Sequence, residues 1–340
     1  MQRIRIVRER PWSLIARVDC AGGSAYFKAC ASGGRQEPAL LHWLAPQWPA
    51  WLPKIHAYDE SRRFILLADA GRPVRDILGA RGMQHALSQV LRAYAKLQMQ
   101  TLAQGAALLT IGLPDRSAEK LPALIEQLLQ SGAHAAGRSM QEADAIAAQV
   151  RTGHALLTDV CAELAATPYA SALDHGDLHT GNILTRRGRL ALVDWGDACV
   201  THPFCSALVA LQFSVESMPL RTREAALQVW RRDYLAPWQE FAPRDVLQRD
   251  FAYALWAGRL VRALDYAQMF VGADAQTLAP WRPLIGKALS QWAATRPVIE
   301  RGNFDAVLPL LQQGLGPPPA LQERIKNRLR GAVVRLIKRQ

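Results

Sequence analysis

The stretch HGDLHTGNIL, residues 175 to 184, decides how the rest of this chain is interpreted. Four polar residues, His175, Asp177, His179 and Asn182, lie within eight positions, directly before an apolar run. Such residues can bind zinc, since imidazole and carboxylate are zinc ligands. They can also form a catalytic loop, or a polar turn in which Asp and Asn bond to their own backbone. The flanking sequence has to distinguish these three possibilities.

The zinc interpretation depends on the pattern His175-x-Asp177-x-His179, with Asp194 as one further ligand. A site of this kind usually needs ligands from elsewhere in the chain. The remaining histidines are scattered and form no second cluster: His42, His56, His85, His134, His154 and His202. A zinc hydrolase is therefore the weaker alternative.

The phosphotransfer interpretation depends on Asp177, on Asn182 five residues later, and on Asp194 at the end of the apolar run RLALVDW, 189–195. A kinase needs a carboxylate that orients the attacking hydroxyl and oxygen ligands for Mg²⁺. Protein kinases use the same Asp-x-x-x-x-Asn spacing, followed by an Asp-led turn. The pattern predicts a catalytic loop at 175–182 and a metal turn at 194–197. The role of His179 stays open between structural and substrate-contacting, and that of Asp197 between an acid that supports the site and a surface residue.

An upstream lysine supports this interpretation. Lys28 lies in the apolar segment AYFKAC, 25–30, where a charged side chain needs an anionic partner or solvent. Glu37, at the start of a predicted helix, is a candidate partner that would hold the ammonium toward phosphates. The alternatives are an edge-strand lysine in water and a first-turn acid favoured by the helix dipole.

The N-terminal residues 1–68 predict a β-rich nucleotide-binding lobe. Period-two alternation and turn residues indicate an antiparallel meander with one helix. Strands are predicted around Ile4 and Ile6, at 14–18, 25–30, 54–58 and 64–68, with a turn at Gly22-Gly23 and a helix at 37–45. Gly71 and Pro73 break the pattern, so we expect a hinge at 69–73.

Residues 74–340 predict a mainly helical C-terminal lobe. Apolar side chains at Leu87, Val90, Leu91, Tyr94 and Leu97 lie on one helix face. Further helices are predicted at 117–131, 140–166, 222–236, 247–269 and 283–294. The tail, 320–340, has helical apolar spacing and a basic face, and predicts an amphipathic helix.

Composition is ordinary for a globular protein, with 50% apolar and 21% charged residues. Half of the net charge of +12 lies in the tail, which has seven Lys or Arg and one Glu. No nucleic acid is therefore expected as a partner, and weak contact of the tail with a membrane surface stays open. The longest nearly apolar stretch, 203–213, is too short to span a bilayer, and five scattered cysteines indicate reduced thiols. We expect a cytoplasmic protein; its oligomeric state is undetermined.

HGDLHTGNIL followed by VDWGDA resembles the aminoglycoside phosphotransferase and choline kinase family, with the signature His-Gly-Asp-x-x-x-x-Asn and an Asp-led metal turn. The resemblance covers residues 10 to about 215. It implies an α+β, two-lobed, protein-kinase-like fold. It also implies that Asp177 is the catalytic base and that His175 braces the loop. Asn182 and Asp194 would bind Mg²⁺, Lys28 with Glu37 would bind the α and β phosphates, and backbone groups of Leu67, Ala68, Asp69 and Ala70 would bind the nucleobase.

One departure from protein kinases concerns the predicted turn between the first two strands. RPWSLIA, 10–16, contains no glycine, so its amides cannot approach phosphates as those of a Gly-rich loop do. ATP or GTP as donor, slow turnover, or a catalytically degenerate nucleotide-binding protein all stay open. No clustered carboxylates suit a polycationic aminoglycoside. We therefore predict Mg²⁺-dependent phosphoryl transfer to a hydroxyl of a small hydroxylated metabolite.

Overall fold

An antiparallel sheet of five strands forms the N-terminal part of the computed structural model, which describes residues 3–272, 278 and 280–312. Its strands are β1 (Arg3–Arg10), β2 (Ser13–Cys20), β3 (Gly23–Cys30), β4 (Ile55–Asp59) and β5 (Phe64–Ala68), in the order β1-β2-β3-β5-β4. The predicted strands are confirmed. The turn is shifted by one residue, because Cys20 pairs with Gly23 and the turn itself is Ala21-Gly22.

Helix α1 (Glu37–Leu44) covers this sheet and confirms the helix predicted at 37–45. Its apolar side chains Leu40, Leu41 and Leu44 are at most 1% exposed. Full burial of a leucine side chain contributes about 1.5–3 kcal/mol, which outweighs the modest helix propensity of so short a segment. The packing of α1 on the sheet therefore determines where Glu37 lies.

The segment predicted as a hinge is bonded to a second sheet. Strand β6 (Arg72–Pro73) pairs with β8 (Ile183–Arg186), and β8 pairs with β9 (Arg189–Leu192). Both partner strands flank the catalytic and metal loops predicted from the sequence. The division into 1–68, 69–73 and 74–340 stays a prediction, but residues 72–73 are attached directly to the hairpin that carries the candidate site.

The rest of the described chain is mainly helical, as predicted. The segment predicted as one helix at 140–166 forms two, which end and begin around Gly153. A Cβ there would lie 2.6 Å from the Trp292 ring, so the close approach of this ring requires glycine. The helices are α2 (Val74–Ile77), α3 (Ala80–Thr101), α4 (Gly105–Thr110), α5 (Leu121–Gln130), α6 (Met140–Thr152), α7 (His154–Ala165), α8 (Ser206–Val215), α9 (Arg223–Leu235), α10 (Arg244–Met269), α11 (Pro283–Glu300) and α12 (Val307–Leu310).

Helix α10 lies in the centre of this helical part and packs against α11, where Trp256 and Trp292 stack with ring centroids 4.7 Å apart. The predicted apolar face of α3 is buried throughout. Among the described helices, none is long and apolar enough to cross a membrane. The predicted tail helix at 320–340 lies outside the described residues. The architecture confirms the predicted α+β class, a sheet followed by a mainly helical body.

Candidate active site

Two strand pairs bring the catalytic loop and the metal turn together. Strand β7 (Ala172–Asp174) pairs antiparallel with β10 (Cys199–Thr201), and β8 pairs antiparallel with β9. The loop from β7 to β8 must therefore run beside the loop from β9 to β10. The backbone N–H of Val193 donates to the carbonyl of Asn182 at 3.1 Å, which bonds the two loops directly.

Gly176 permits the closest approach of these loops. Its φ is +73°, and a Cβ at this position would lie 2.2 Å from the backbone oxygen of Asp197. Asp194 also has a left-handed φ of 70°, which residues with a side chain rarely adopt. Backbone strain of this kind is typical of functional sites, and here it falls on the predicted metal ligand.

Lys28 extends from β3 into the cleft between the sheet and these loops. Its ammonium nitrogen lies 2.5 Å from Glu37 Oε2 and 2.5 Å from Asp194 Oδ1. Burial alone would lower the pKa of Lys28, but Asp194 and Glu37 outweigh burial and raise it well above its usual range. The lysine is therefore charged at every ordinary pH. The predicted Lys28–Glu37 ion pair is confirmed, whereas its role toward phosphates stays a prediction.

Glu37 also connects the sheet to the metal turn. Its second carboxylate oxygen, Oε1, accepts a hydrogen bond from the backbone N–H of Trp195 at 3.1 Å. Gln36 donates to the Gly196 carbonyl at 2.8 Å. The start of α1 is thus bonded to the residues that follow Asp194, so the helix, the strand lysine and the metal turn form one unit.

Asp194 has a second cationic partner that the sequence did not indicate. The guanidinium of Arg8, on β1, donates to Asp194 Oδ2 at 2.8 Å. Burial would raise the pKa of Asp194, but Lys28 and Arg8 outweigh burial and hold it far below its usual value. The carboxylate is therefore ionised, with one cation at each oxygen.

Asn182 is held by Asp177, which lies five positions earlier in the signature. Its amide nitrogen donates to the Asp177 carbonyl and to Asp177 Oδ2, each at 2.9 Å. Since both bonds use the nitrogen, the amide oxygen of Asn182 is turned away from Asp177. That oxygen and the ionised Asp194 carboxylate are hard oxygen donors of the type Mg²⁺ prefers. The residues present therefore fit the predicted magnesium site.

Arg262 is the functional candidate that the sequence analysis missed. From α10, its guanidinium donates to Asp177 Oδ1 at 3.2 Å, to Asp197 Oδ2 at 3.0 Å and to the Gly176 carbonyl at 3.1 Å. It also lies over the Tyr266 ring, 4.5 Å from the centroid. A signal was present in the sequence, because an arginine within the apolar run ALWAGRLVRAL is a candidate for pairing with an anion when the helix is buried; the run did not separate Arg262 from Arg259, which contacts Gln291.

The two aspartates bound by Arg262 differ in their acidity. Burial raises the pKa of both, but for Asp177 the charges of Arg262 and the contact with His179 outweigh burial and lower it. For Asp197, burial and the neighbouring Asp177 and Asp194 prevail over Arg262 and raise the pKa to about 6. Asp177 is therefore ionised near neutral pH and can accept a proton.

The histidines of the signature do not form a zinc site. His175 is fully buried, its Nε2 contacts the Val193 carbonyl at 3.2 Å, and its ring lies against Trp195 at 4.3 Å. Burial lowers the pKa of His175 to about 4, so it is neutral. His179 Nδ1 accepts from Gly181 N–H. Across residues 3–272, 278 and 280–312, no three His, Cys, Asp or Glu side chains are arranged to hold a metal ion. The zinc interpretation is not supported by this geometry.

A cavity of about 340 Å³ lies directly at these residues. Its lining includes the ionic residues Lys28, Glu37, Asp177, Asp194 and Asp197 together with apolar and aromatic side chains. These side chains are Trp12, Phe213, Tyr266, Met269, Trp281 and Leu284. The cavity therefore joins the ionic groups to an apolar compartment large enough for part of a small molecule.

The predicted nucleobase segment lies apart from this cavity. The N–H of Ala68 donates to the Lys54 carbonyl at 2.8 Å, and the carbonyl of Asp69 accepts from Arg186 at 2.8 Å. Both backbone groups are thus already bonded. Residues 68–70 line a larger cavity, about 1120 Å³, which shares none of the described residues with the ionic one. Binding of a nucleobase at 67–70 stays a prediction that depends on the remaining backbone groups of this segment.

A small antiparallel sheet, a buried Lys–Glu pair, an Asp-x-x-x-x-Asn loop and an Asp-led turn together define a protein-kinase-like phosphotransferase fold. Residues 17–244, well over half of the chain, match the model of the phosphotransferase enzyme family, and the chain belongs to that family. The predicted resemblance is confirmed. A search of curated proteins finds no match.

Solved structures support the same fold. An ethanolamine kinase from Plasmodium vivax aligns with 88% of this chain and 84% of its own, with a TM-score of 0.59 and 11% identity. A choline/ethanolamine kinase family protein from Mesorhizobium loti aligns with 92% of this chain and 93% of its own, with a TM-score of 0.52 and 17% identity. A macrolide 2′-phosphotransferase from Brachybacterium faecium aligns with 84% of this chain and 91% of its own, with a TM-score of 0.51 and 18% identity. At these identities the likeness establishes the fold alone.

Proposed function

We propose that this protein transfers the γ-phosphoryl group of ATP or GTP to a hydroxyl of a small molecule in the cytoplasm. The observation that carries the proposal is the convergence of Asp177, Asp194 and the Lys28–Glu37 pair on one cavity. A carboxylate base, a metal-binding carboxylate and a fixed cation are the parts that phosphoryl transfer needs.

In this proposal Asp177 accepts the proton of the acceptor hydroxyl, whose oxygen forms a bond to the γ-phosphorus while the bond to the β-γ bridging oxygen breaks. The nucleoside diphosphate leaves. Asp177 is suited to the role because Arg262 and Asn182 orient its carboxylate and it is ionised at neutral pH. Catalysis then consists mainly of positioning and charge stabilisation.

Lys28 would bind the α and β phosphates, held in place by Glu37. Asn182 and Asp194 would hold Mg²⁺, which when bound neutralises charge on the phosphate oxygens. His175 would brace the loop, since its backbone N–H donates to the Tyr94 hydroxyl at 2.7 Å and its ring is buried. A buried, neutral imidazole with these contacts suits a bracing role better than proton transfer.

The apolar compartment of the cavity, where the acceptor would bind, favours an uncharged molecule with an apolar part. Its aromatic side chains offer apolar surface, while the carboxylates of Asp177 and Asp197 are both already ion-paired with Arg262. A polycationic acceptor needs unpaired carboxylates, because desolvating several ammonium groups is costly. We therefore propose a hydroxylated, uncharged metabolite in preference to an aminoglycoside.

A second candidate function is nucleotide binding without transfer. It is favoured by the turn between β1 and β2, which contains Pro11 and Trp12 and no glycine, and by the occupation of both Asp194 oxygens by cations. Either feature could weaken productive binding of metal and triphosphate.

Labelled transfer and calorimetry separate the two candidates. A panel of hydroxylated metabolites and aminoglycosides is incubated with γ-labelled ATP or GTP and Mg²⁺, and label on the acceptor is measured. We expect transfer by the wild type, and Asp177→Asn to lose it by at least about a hundredfold while binding nucleotide normally. Nucleotide binding without transfer to any acceptor would favour the second candidate. Full activity in Asp177→Asn would rule out the proposed base, and absence of nucleotide binding would overturn both functions.

A further inference from the structure

Arg8 and Lys28 project from the same face of the sheet. In the strand register, Arg8 lies opposite Ile15, and Ile15 lies opposite Lys28, so the three positions form one row across β1, β2 and β3. Residues in such a row share a face. The outcome is that two cations, from strands that are not neighbours, meet at the single carboxylate of Asp194.

The two cations differ in their freedom. The side chain of Lys28 is 9% exposed and paired with both Glu37 and Asp194, whereas that of Arg8 is 41% exposed and, among residues 3–272, 278 and 280–312, forms an ion pair with Asp194 alone. Within the part of the chain that the structure describes, the buried Nε of Arg8 has no hydrogen-bond partner. Arg8 therefore has a donor to spare and room to move, and Lys28 has neither.

The turn that follows Arg8 lacks the backbone donors of a Gly-rich loop, and an arginine can supply donors for phosphate in their place. Trp12 packs edge-on against Trp281, with ring centroids 5.0 Å apart, so a bulky side chain lies where a Gly-rich loop would offer amides. Without those amides, the outer phosphates need donors from side chains. A guanidinium presents several N–H groups in a fork that matches phosphate oxygens.

We propose that Arg8 binds the terminal phosphates of the nucleotide, and that its ion pair with Asp194 is the nucleotide-free arrangement. The pair opens when metal and nucleotide enter, since a metal ion on the Asp194 carboxylate repels the Arg8 guanidinium and the terminal phosphates offer it another anionic partner. Arg8 then exchanges a carboxylate for a phosphate and keeps an anionic partner throughout. This inference rests on the proposed phosphotransferase function.

The proposal predicts two opposite effects of one substitution. Arg8→Met removes a charged phosphate donor, so the Kd for a non-hydrolysable ATP analogue with Mg²⁺ should rise about tenfold or more. The same substitution frees a carboxylate oxygen, so Mn²⁺ alone should bind more tightly, by about threefold or more. A residue that merely supports the fold would not weaken one ligand and strengthen the other.

Calorimetry with the ATP analogue and electron paramagnetic resonance of Mn²⁺ provide the two constants for the full-length protein. Arg3→Met is the matched control, because Arg3 lies on the same strand, is exposed and lies opposite Asp19, outside the row that contains Arg8 and Lys28. Arg8→Lys should fall between wild type and Arg8→Met, as charge is kept and the fork is lost.

Arg8→Met with unchanged constants in an otherwise active enzyme overturns this inference alone. Weaker binding of both analogue and Mn²⁺ also overturns it, since that result indicates a structural role. A wild type that binds no nucleotide overturns the proposed function and this inference together.

Discussion

The guanidinium of Arg262 lies 3.2 Å from the carboxylate of Asp177, although 85 positions separate the two residues. The same guanidinium reaches Asp197, so one arginine from α10 connects the catalytic loop to the metal turn. Replacement of Arg262 by lysine loses the fork that allows both contacts. We expect Arg262→Lys to lower kcat by about tenfold to a hundredfold in the transfer assay.

We expect Arg262 also to set the acidic limb of the pH profile. The proposed base, Asp177, acts when ionised, and Arg262 lowers its pKa. Its loss raises that pKa, so the acidic limb of kcat should move to higher pH. Arg262→Met tests this, because methionine removes the charge, and Arg259→Met is the control, because Arg259 is buried in the same helix but contacts Gln291. An acidic limb that stays in place in Arg262→Met would contradict this account of the base.

Stability should depend on Asp197 between about pH 4 and pH 6. The folded-state pKa of about 6 lies above the ordinary value of 3.8, so the folded protein binds the proton more tightly than the unfolded chain. The contribution is complete below pH 4 and lost as pH rises through 6. At about 1.4 kcal/mol per pH unit, it reaches about 3 kcal/mol at most. Urea unfolding of wild type and Asp197→Asn across this pH range measures the contribution. If the free energy of unfolding of the variant still falls with pH in the same way, another group is responsible.

Gly176→Ala should be strongly destabilising. The new methyl group would meet the Asp197 backbone in a left-handed conformation, a combination that costs about 2–4 kcal/mol. Gly188→Ala is the matched control, since its φ is +81° and a Cβ there meets nothing within 4 Å. Its cost should be about 1 kcal/mol. Chemical denaturation gives both values, and equal losses would show that the loop contact adds nothing.

Glu37→Gln should disturb the ionic unit without changing its shape. The amide cannot balance the buried ammonium of Lys28, which keeps only Asp194 as an anionic partner. Loss of one member of a buried ion pair costs about 3–5 kcal/mol, and the remaining carboxylate should reduce this here. We expect a lower Tm and weaker nucleotide binding. Glu60→Gln, at an exposed turn position, is the control; an equal change in both variants would remove the special role of Glu37.

Local patterns identified much of the fold. Alternation predicted the strands of the first sheet, helical spacing predicted α1 and the buried face of α3, and each is present. These features depend on neighbours within a few residues, which the chain records directly. The turn at 21–22 and the break at Gly153 were missed, because cross-strand pairing and the approach of Trp292 are tertiary events.

The candidate site divides in the same way. By itself, the sequence determined the family and the local elements: the Asp177-x-x-x-x-Asn182 loop, the Asp194 turn and the Lys28–Glu37 pair, all of which follow from short-range spacing and residue type. Only the tertiary structure decided which cations pair with the carboxylates of the site, because sequence spacing does not specify them. Arg8 reaches Asp194 across 186 positions, and Arg262 reaches Asp177 across 85. Burial of a charge favours pairing, but which opposite charge lies within reach is decided when strands and helices pack.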